Sequence, residues 1–187
     1  MDANGANQVR RTTAAGADLD PAWSPDGRKI AYSRQGAVSK DIYVLNADGS
    51  GTPQPVTTAA GDETTPAWSP DGSKIAFESP RDGNADIWVR SLAGGSESNL
   101  TKTVGSVSNR EPTWSPNGSR LAFMRDAGDS EIYTMSATGA GQTNLTDEAG
   151  GVPDTAPAFS PDGSRIVWAS NRDGNVELWT MGSNGSG

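Results

Sequence analysis

The chain has 187 residues and is acidic, with 23 Asp and Glu against 15 Lys and Arg, a formal net charge of −8 and a pI near 4.5. It contains neither cysteine nor histidine, which excludes disulfide bonds, thiol nucleophiles, metal sites built from those ligands and any catalytic scheme with a histidine base. A chain of this charge repels phosphate groups, so nucleic acid is not an expected partner. No apolar run approaches the roughly 20 residues of a membrane span and no signal peptide is recognisable, so membrane insertion is not expected.

One string of residues recurs along the chain. It begins Pro-Ala-Trp-Ser-Pro-Asp-Gly and covers residues 21–32, and it returns at residues 66–77, 112–123 and 157–168. The aromatic residue near the start of each copy is at position 23, 68, 114 or 159, a spacing of 45 or 46 residues. This period is typical of repeat architectures, in which each unit must pack against its neighbours. The scarcity of aliphatic residues would by itself favour disorder, and the repeat overrides that interpretation.

A tight turn is predicted within each copy. Ser-Pro-Asp-Gly at residues 24–27 favours a hairpin, because proline presets φ at the first turn position and glycine supplies a left-handed residue. The turn accounts for the repeated Asp26, Asp71 and Asp162, and Asn117 takes the same place in the third copy. We interpret these side chains as turn residues and not as an acidic binding motif.

The composition of each repeat predicts four short β-strands. The first strand contains the aromatic residue, the second follows the turn, the third follows a loop rich in Gly, Asp and Asn, and the fourth follows another Gly-rich turn. In the first repeat the predicted strands cover residues 22–24, 29–33, 41–45 and 56–57. In the later repeats the second strands cover 74–77, 120–123 and 165–168, the third strands 86–89, 131–135 and 177–181, and the fourth strands 99–101 and 144–146.

The aromatic residues, six Trp, three Tyr and three Phe, fall at three repeated positions. The three sets are Trp23, Trp68, Trp114 and Phe159; Tyr32, Phe77, Phe123 and Trp168; and Tyr43, Trp88, Tyr133 and Trp179. A small sheet cannot bury its faces alone, so we expect these rings to pack between neighbouring sheets. Burial of one such side chain stabilises by roughly 1.5 to 3 kcal/mol, which predicts a mostly aromatic core.

The chain begins and ends at points within the repeat and not at a boundary between repeats. Val9 lies 14 residues before Trp23, as Leu100 and Leu145 lie before Trp114 and Phe159, while the last repeat stops where a fourth strand should begin. We therefore predict one domain over residues 1–187, with repeats at about 13–57, 58–101, 102–146 and 147–187, the last completed by residues 1–12. Pairing of residues 8–12 with the last sheet would close an all-β propeller of four four-stranded blades and cover its edges.

The repeats resemble the TolB-like β-propeller repeat family. The matching residues of the second repeat are Trp-Ser-Pro-Asp-Gly at 68–72, Ile-Ala-Phe at 75–77, Asp-Gly-Asn at 82–84 and Asp-Ile-Trp-Val at 86–89, and the match extends over essentially the whole chain. The resemblance implies a propeller without catalytic residues or a cofactor, a periplasmic or extracellular location, and a protein or peptide partner such as an envelope lipoprotein. It usually implies six blades, so four repeats could form a small ring, share an eight-bladed ring with a second chain, or be part of a larger propeller.

The residues before each first strand are the predicted partner-binding site. In a propeller this strand borders the channel, so these residues ring one mouth, and they vary among copies whose neighbours repeat. They are Leu19, Asp20, Thr64, Thr65, Arg110, Glu111, Thr155 and Ala156, of which we select Asp20, Thr64, Thr65, Arg110, Glu111 and Thr155. The resemblance implies that these residues correspond to the channel-mouth loops with which TolB contacts the peptidoglycan-associated lipoprotein. Residues 110–114 are the closest local match to those loops.

No metal site is predicted. The loops at residues 82–86, 126–131 and 173–177 carry alternating oxygen donors, but they lack the spacing and the terminal Glu of a calcium-binding EF-hand, and we interpret them as turns. The predicted function is a non-catalytic protein-interaction scaffold. Three alternatives stay open: an accessory propeller that gates a peptidase-type enzyme, a propeller enzyme with an all-oxygen calcium site, and an engineered or excised repeat array with no function beyond folding.

Overall fold

The computed structural model describes residues 4–147 and 151–187, which form fifteen β-strands in four antiparallel sheets. The first sheet contains β1 (Asp18–Trp23), β2 (Lys29–Gln35), β3 (Lys40–Asn46) and β4 (Gln54–Pro55). The second contains β5 (Thr64–Trp68), β6 (Lys74–Ser79), β7 (Asp86–Ser91) and β8 (Glu97–Asn99). The third contains β9 (Ser108–Trp114), β10 (Arg120–Asp126), β11 (Ser130–Ser136) and β12 (Thr143–Asn144), and the fourth contains β13 (Asp154–Phe159), β14 (Arg165–Ser170) and β15 (Glu177–Gly182).

Each sheet is a propeller blade whose strands follow one another in chain order. The first strands of consecutive sheets, β1, β5, β9 and β13, contact one another in that order, so they lie innermost and the later strands lie progressively outward. The described residues contain no helix long and apolar enough to cross a membrane. The predicted all-β fold of four repeated blades is confirmed.

The predicted turn joins the first two strands of every blade. Gly27 and its equivalents have φ between 68 and 72°, and in the first turn the Gly27 amide donates to the Ser24 carbonyl at 2.9 Å. The Ser24 hydroxyl donates to the Asp26 carboxylate at 2.6 Å. In the second blade the bonds from Ser69 and Ser73 lower the pKa of Asp71 to about 2. The repeated aspartates are therefore turn residues, as predicted.

The fourth strands end earlier than predicted. They cover two or three residues that finish at Pro55, Asn99 and Asn144. Just beyond them, a buried threonine turns its hydroxyl onto the third strand: Thr57, Thr101 and Thr146 accept from the amides of Ile42, Ile87 and Ile132 at 2.8 to 3.0 Å. The threonine hydroxyl takes the place of the backbone carbonyl that would otherwise accept from the third strand. The hydrogen-bond ladder between the third and fourth strands therefore ends there.

Three hydrophobic clusters hold the blades together, one between each consecutive pair. Phe77 and Phe123 are completely buried in two of them, and Trp168 is buried in the third. Isoleucines, alanines and methionines outnumber the aromatic residues among the buried hydrophobic side chains, so the core is mixed and not mostly aromatic. Trp23 differs from its equivalents and is 62% exposed, because none of the sheets formed by the described residues covers that face of the first blade.

The described residues do not show the N-terminal segment completing the last sheet. Residues 8–12 form no strand, and the last blade has three strands and not four. Arg11 instead donates to the carbonyl of Asp48 at 2.9 Å, in the turn after β3 of the first blade. That contact is made at the opposite end of the array, and the outer edge of β15 has no partner strand among the described residues. The four blades form an open arc.

Each blade carries an arginine stacked on its two central rings. The guanidinium lies 4.4 to 5.5 Å from the two ring centroids in every case. It also pairs with the residue five positions before the first repeated aromatic. The four pairs are Arg34 with Asp18, Arg81 with Glu63, Arg125 with Asn109, and Arg172 with Asp154.

Candidate functional site

The innermost strand of every blade is interrupted by a β-bulge near its start. The register shifts between Leu19 and Ala22 in the first blade and at the equivalent place in the other three. Each bulge holds a residue other than glycine in the left-handed region, with φ of 50 to 55°. These residues are Asp20, Thr65, Glu111 and Ala156. A proline follows each of them, and such strain is maintained only where surrounding contacts impose it.

The predicted site residues therefore lie inside the strands and not in loops before them. Thr64, Arg110 and Thr155 come directly before the left-handed residue of their blade. The Thr65 hydroxyl and the Glu111 amide both donate to the carboxylate of Glu78. Asp20 lies apart from them and accepts from the Ser33 hydroxyl at 2.7 Å. The structure places all six residues at the same end of the arc and brings those of the second and third blades together.

Glu78 of β6 joins the second blade to the third. Its Oε1 accepts from the Thr65 hydroxyl at 2.7 Å and from the Glu111 amide at 3.0 Å. Its Oε2 lies 3.5 Å from Nη1 of Arg110. Glu78 is only 5% exposed, so these donors, and not water, satisfy its carboxylate oxygens. The carboxylate fixes the strained bulge of the neighbouring blade.

Glu111 repeats this arrangement one blade further on. Its carboxylate accepts from the amide of Ala156 at 2.6 Å, and Ala156 is the left-handed residue of the fourth blade. Two carboxylates thus connect three bulges in series. This linkage holds the bulges of three neighbouring blades in one arrangement.

Sequence reasoning did not select Glu78, although the repeat contained a signal. Glu78 directly follows the aromatic residue Phe77, and the equivalent residues in the other blades are Ser33, Met124 and Ala169. The other three blades have a small or apolar residue at this strand position, so a carboxylate there departs from the pattern of the repeat. Its partner Glu111 lies 33 residues away, so the contact itself could not be read from the spacing.

A polar cleft opens beside this network. It has a volume of about 430 Å³ and is lined by residues of the second and third blades and by the edge of the first. Arg110, whose side chain is 47% exposed, and Thr64 belong to its lining. Lys40 and Asp62, which form an ion pair at 3.4 Å, complete the side nearest the first blade. The cleft presents both charge signs and hydrogen-bonding groups.

The same end of the arc carries exposed apolar side chains. Val38 and Val176 occupy the loops between the second and third strands of their blades, and Val104 occupies the loop entering β9. Because adjacent strands are antiparallel, these loops lie at the end where the innermost strands begin. All three valines are at least 74% exposed. The opposite end carries the Ser-Pro-Asp-Gly turns, which are nearly identical in every blade.

The described residues contain no group of three or more Asp, Glu, His or Cys side chains that could hold a metal ion. In the loop that most resembles a calcium site, the oxygens already have partners: Asp82 accepts from Asn99 at 3.3 Å, and Asp86 accepts from Thr101 at 2.7 Å. Asn84 donates its amide to the Thr103 carbonyl at 3.2 Å. Side chains beyond the loop thus already donate to both carboxylate oxygens of Asp86.

Calcium is accordingly expected to leave the melting temperature unchanged. A cation would have to displace the hydrogen bonds of Asp86 before it could bind that carboxylate. Thermal unfolding in calcium chloride and in a chelator, at matched ionic strength, measures the difference directly. A melting temperature that rises with calcium and saturates would contradict this expectation, because ligand binding to the folded state stabilises it.

Radial blades with an innermost strand, and loops gathered at one mouth, define this molecule as a β-propeller. A sequence model of the TolB beta propeller domain matches residues 1–109 and 102–187. The chain therefore belongs to the TolB beta propeller family. No curated protein gives a significant match.

Solved structures agree with this assignment. The chain is 28% identical to a putative TolB from Agrobacterium tumefaciens, with a TM-score of 0.79. The match covers 90% of this chain and 62% of the Agrobacterium protein. It is 25% identical to TolB from Acinetobacter baumannii, with a TM-score of 0.81, covering 98% of this chain and 45% of that one. The chain thus spans less than two thirds of the length of either TolB protein.

Peptidases share the fold as well. A puromycin-hydrolyzing peptidase from Mycobacterium tuberculosis is 18% identical, with a TM-score of 0.74, and the match covers 94% of this chain but 28% of the peptidase. At that identity the likeness shows the fold alone. It assigns no chemistry to the residues of this chain.

Proposed function

We propose that the chain is a non-catalytic protein-binding platform of the bacterial cell envelope, and that its partner docks on the end of the propeller that carries Arg110, Glu111 and the three exposed valines. The observation that carries this proposal is the linked series of strained bulges. Glu78 and Glu111 hold the left-handed residues of the third and fourth blades in place. Strained backbone and bulges of this kind are concentrated at functional sites.

The composition of this end suits a protein partner. Exposed valines on three loops offer apolar contacts, and the half-exposed guanidinium of Arg110 at the cleft offers a charged donor. Arginine is among the residues most enriched at the energetic centre of interfaces. A rigid mouth also lowers the ordering cost of association. We infer that the partner presents a carboxylate to Arg110 and apolar side chains to the surrounding loops.

The envelope location and the class of partner rest on membership of the family. Nothing in the chemistry of the site requires a cofactor, and the proposal includes none. Asp20 and Thr155 belong to the same end of the arc, and we assign them to the rim of the interface, where contacts contribute less than at the centre.

Charge reversal tests the proposal. Arg110→Glu is expected to weaken a mouth-directed binder by about tenfold or more, which corresponds to about 1.4 kcal/mol, because it opposes the partner's carboxylate. Peptides selected from a displayed library on the wild-type chain provide the binders, and their dissociation constants are measured for each variant. Val104→Asp should weaken the same binders by removing an apolar contact.

Arg28→Glu is the matched control. Arg28 is also an exposed arginine, but it follows the Ser-Pro-Asp-Gly turn at the opposite end of the first blade. Its reversal makes the same change of net charge and should leave the affinity unchanged. Binders that lose affinity equally with Arg28→Glu would reveal a general charge effect, and binders indifferent to both mouth substitutions would place the interface elsewhere. Either result would overturn the proposal.

A further inference from the structure

We propose that the carboxyl groups of Asp41 and Glu63 share one proton, and that this proton holds the first blade against the second. Asp41 lies on β3 and Glu63 directly precedes β5. A carboxyl group that donates to a carboxylate here takes the place of the amide-to-carboxylate hydrogen bond that joins the second blade to the third. The inference concerns the junction between two blades and is independent of the proposed partner at the mouth.

The backbone brings Glu63 next to Asp41. The Glu63 amide donates at 2.9 Å to the carbonyl of the residue that precedes Asp41. At the next junction, the Asn109 amide donates at 2.7 Å to the carbonyl of the residue that precedes Asp86. Asp41 and Glu63 therefore occupy the positions that Asp86 and Asn109 occupy one blade further on, where the two side chains are in direct contact.

At the second junction, one amide side chain bridges a cation and a carboxylate. Oδ1 of Asn109 accepts from Nε of Arg125 at 2.8 Å, and Nδ2 of Asn109 donates to Oδ1 of Asp86 at 3.2 Å. Glu63 has the same acceptor role, because its Oε1 accepts from the guanidinium of Arg81. An ionised carboxylate has no proton to donate, so Glu63 can fill the donor role only as a carboxyl group.

The two oxygens that such a hydrogen bond would join are buried. Oε2 of Glu63 and Oδ1 of Asp41 have no hydrogen-bond partner among the described residues, and Glu63 is completely buried. Ser79 and Arg81 donate to the other oxygen of Glu63, Oε1. A buried polar atom without a partner is costly. One proton between these two oxygens makes one of them a donor and the other its acceptor.

The charges connected to this pair also favour one proton. Arg81 contacts both Glu63 and Glu97, Glu97 contacts Arg90, and Arg81 acts electrostatically on Asp41. When all are ionised, these groups are three carboxylates and two guanidinium groups. One proton makes the cluster neutral, and an unbalanced charge is costly where water is excluded. The second junction needs no such proton, because its bridging residue is an amide.

The pKa shifts of the two carboxyl groups have the same direction. Burial raises the pKa of Glu63, and the charge of Asp41 raises it further, against the lowering effects of Thr57 and Arg81. Burial also raises the pKa of Asp41. Two interacting carboxyl groups titrate as a pair, so the proton belongs to both. Because the folded pKa lies above the unfolded value, the pair contributes stability at low pH and loses it as pH rises through the folded pKa.

The pair lies behind one wall of the polar cleft. Lys40 and Asp62, which directly precede Asp41 and Glu63, form the ion pair on the side of the cleft nearest the first blade. Loss of the shared proton leaves two buried carboxylates facing each other, and their repulsion favours the separation of β3 from β5. The shared proton therefore makes the contact that supports this wall sensitive to pH.

Glu63→Gln tests the shared proton. Glutamine has the shape of a protonated glutamate, so it can accept from Arg81 and donate to Asp41 at every pH. As pH rises from 5, the folding equilibrium constant of the wild type should fall relative to that of the variant by up to about tenfold per pH unit, the value for one proton. Urea unfolding between pH 5 and pH 9 measures this ratio. A ratio that does not change with pH would overturn the proposal.

Glu177→Gln is the matched control. Glu177 occupies the repeat position of Asp41 in the fourth blade, and it is exposed. Its replacement makes the same chemical change, and its stability relative to the wild type should not vary over this range of pH. If Glu63→Gln fails to fold, Asp41→Asn supplies the comparison, because its amide can donate to the Glu63 carboxylate in the same way.

Infrared spectroscopy gives a readout that does not depend on unfolding. Exposed carboxyl groups have ordinary pKa values of about 4 and are ionised at pH 6, so a C=O band of a protonated carboxyl at that pH belongs to a buried group. The wild type should show such a band, and Glu63→Gln should show a weaker one or none. The comparison cancels the contribution of any other buried carboxyl group. Equal bands in the two proteins would overturn the proposal.

Asn109→Asp is the converse substitution. It places a second carboxyl group beside Asp86 while leaving an oxygen to accept from Arg125. The variant should be less stable than the wild type at pH 7 and should recover as pH is lowered to 5, because the new pair then takes up a proton. A loss of the same size at both pH values would contradict the proposal.

A bound cation is the other way to satisfy two facing carboxylates. It would raise the melting temperature of the wild type in calcium or sodium chloride, relative to a salt of a bulky organic cation at the same ionic strength. The proposal predicts no such rise. A rise that Glu63→Gln abolishes, together with the absence of the infrared band from the wild type, would assign the site to a cation and overturn the proposal.

Discussion

Replacing Arg81 by Met is expected to lower the free energy of unfolding by about 3 to 5 kcal/mol at pH 7, the loss typical when one partner of a buried ion pair is removed. Arg81 contacts Glu63 and Glu97 and stacks on Phe77 and Trp88. Glu63 is completely buried. Methionine preserves most of the packing on the rings but leaves the Glu63 carboxylate without its guanidinium.

The loss should depend on pH in a defined direction. Burial raises the pKa of Glu63 even with Arg81 present, and removing the guanidinium raises it further. A carboxyl whose folded pKa lies above its unfolded value contributes stability at low pH and loses it as pH rises through the folded pKa. The Arg81→Met variant should therefore recover part of its lost stability as the pH is lowered from 7 towards 5.

Arg125→Met is the matched control for this prediction. Arg125 stacks on Phe123 and Tyr133 in the same way, but its hydrogen-bonding partners are the neutral amides of Asn109 and Gln142. Its replacement should cost about 1 to 3 kcal/mol and show no recovery at lower pH. Urea unfolding of both variants at two pH values measures the contrast. Equal losses with equal pH dependence would mean that the stacking, and not the charge of Glu63, governs the effect of Arg81.

Replacing Asp86 by Asn is expected to cost about 2 to 3 kcal/mol, the scale of lost charge-assisted hydrogen bonds at a buried site. Asp86 is 1% exposed. Its carboxylate accepts bonds of 2.7 to 3.2 Å from Asn99, Thr101, Thr103 and Asn109. Burial alone would raise the pKa of Asp86, but the hydrogen bonds from Asn99, Thr101 and Thr103 together hold it below its ordinary value. An asparagine would point N–H groups at some of these donors.

Asp41 occupies the same repeat position in the first blade and should respond in the opposite sense. Its Oδ1 is buried without a hydrogen-bond partner, and burial raises its pKa against the opposing effect of Arg81. Asp41→Asn removes a carboxylate that burial disfavours, so it should increase stability at pH 7. A loss comparable to that of Asp86→Asn would contradict the distinction between the two sites.

The pH profiles of this pair follow from the same shifts. The stability that Asp86 contributes is present above its unfolded pKa and is lost as pH falls through its lower folded pKa, so the Asp86→Asn difference should shrink in acid. The contribution of Asp41 is lost as pH rises through its raised folded pKa, so the gain from Asp41→Asn should be largest at neutral pH. Denaturant unfolding of the wild type and both variants at neutral and acidic pH provides the comparison.

Local patterns predicted the blades well and their junctions poorly. The Ser-Pro-Asp-Gly turns, the four-strand order and the burial of Phe77 and Phe123 follow from residues close in the chain. The position of residues 8–12 does not follow in this way. Their place in the repeat shows which strand they could form, but it does not show whether the edge of the last sheet lies close enough to pair with them. Likewise, variability among the copies is the basis for the proposed mouth residues, but it does not reveal the bulges that hold them or the role of Glu78.

The sequence by itself determined the repeat, its turn chemistry, the absence of thiol and imidazole chemistry, and the end of each blade at which variable residues gather. These features depend on backbone preferences and on side chains a few positions apart. Only the tertiary structure decided that the arc stays open, that Trp23 is exposed while its equivalents are covered, and that Glu78 and Glu111 connect three bulges. Those outcomes depend on contacts between different blades, where residues more than 30 positions apart meet at distances that no local pattern encodes.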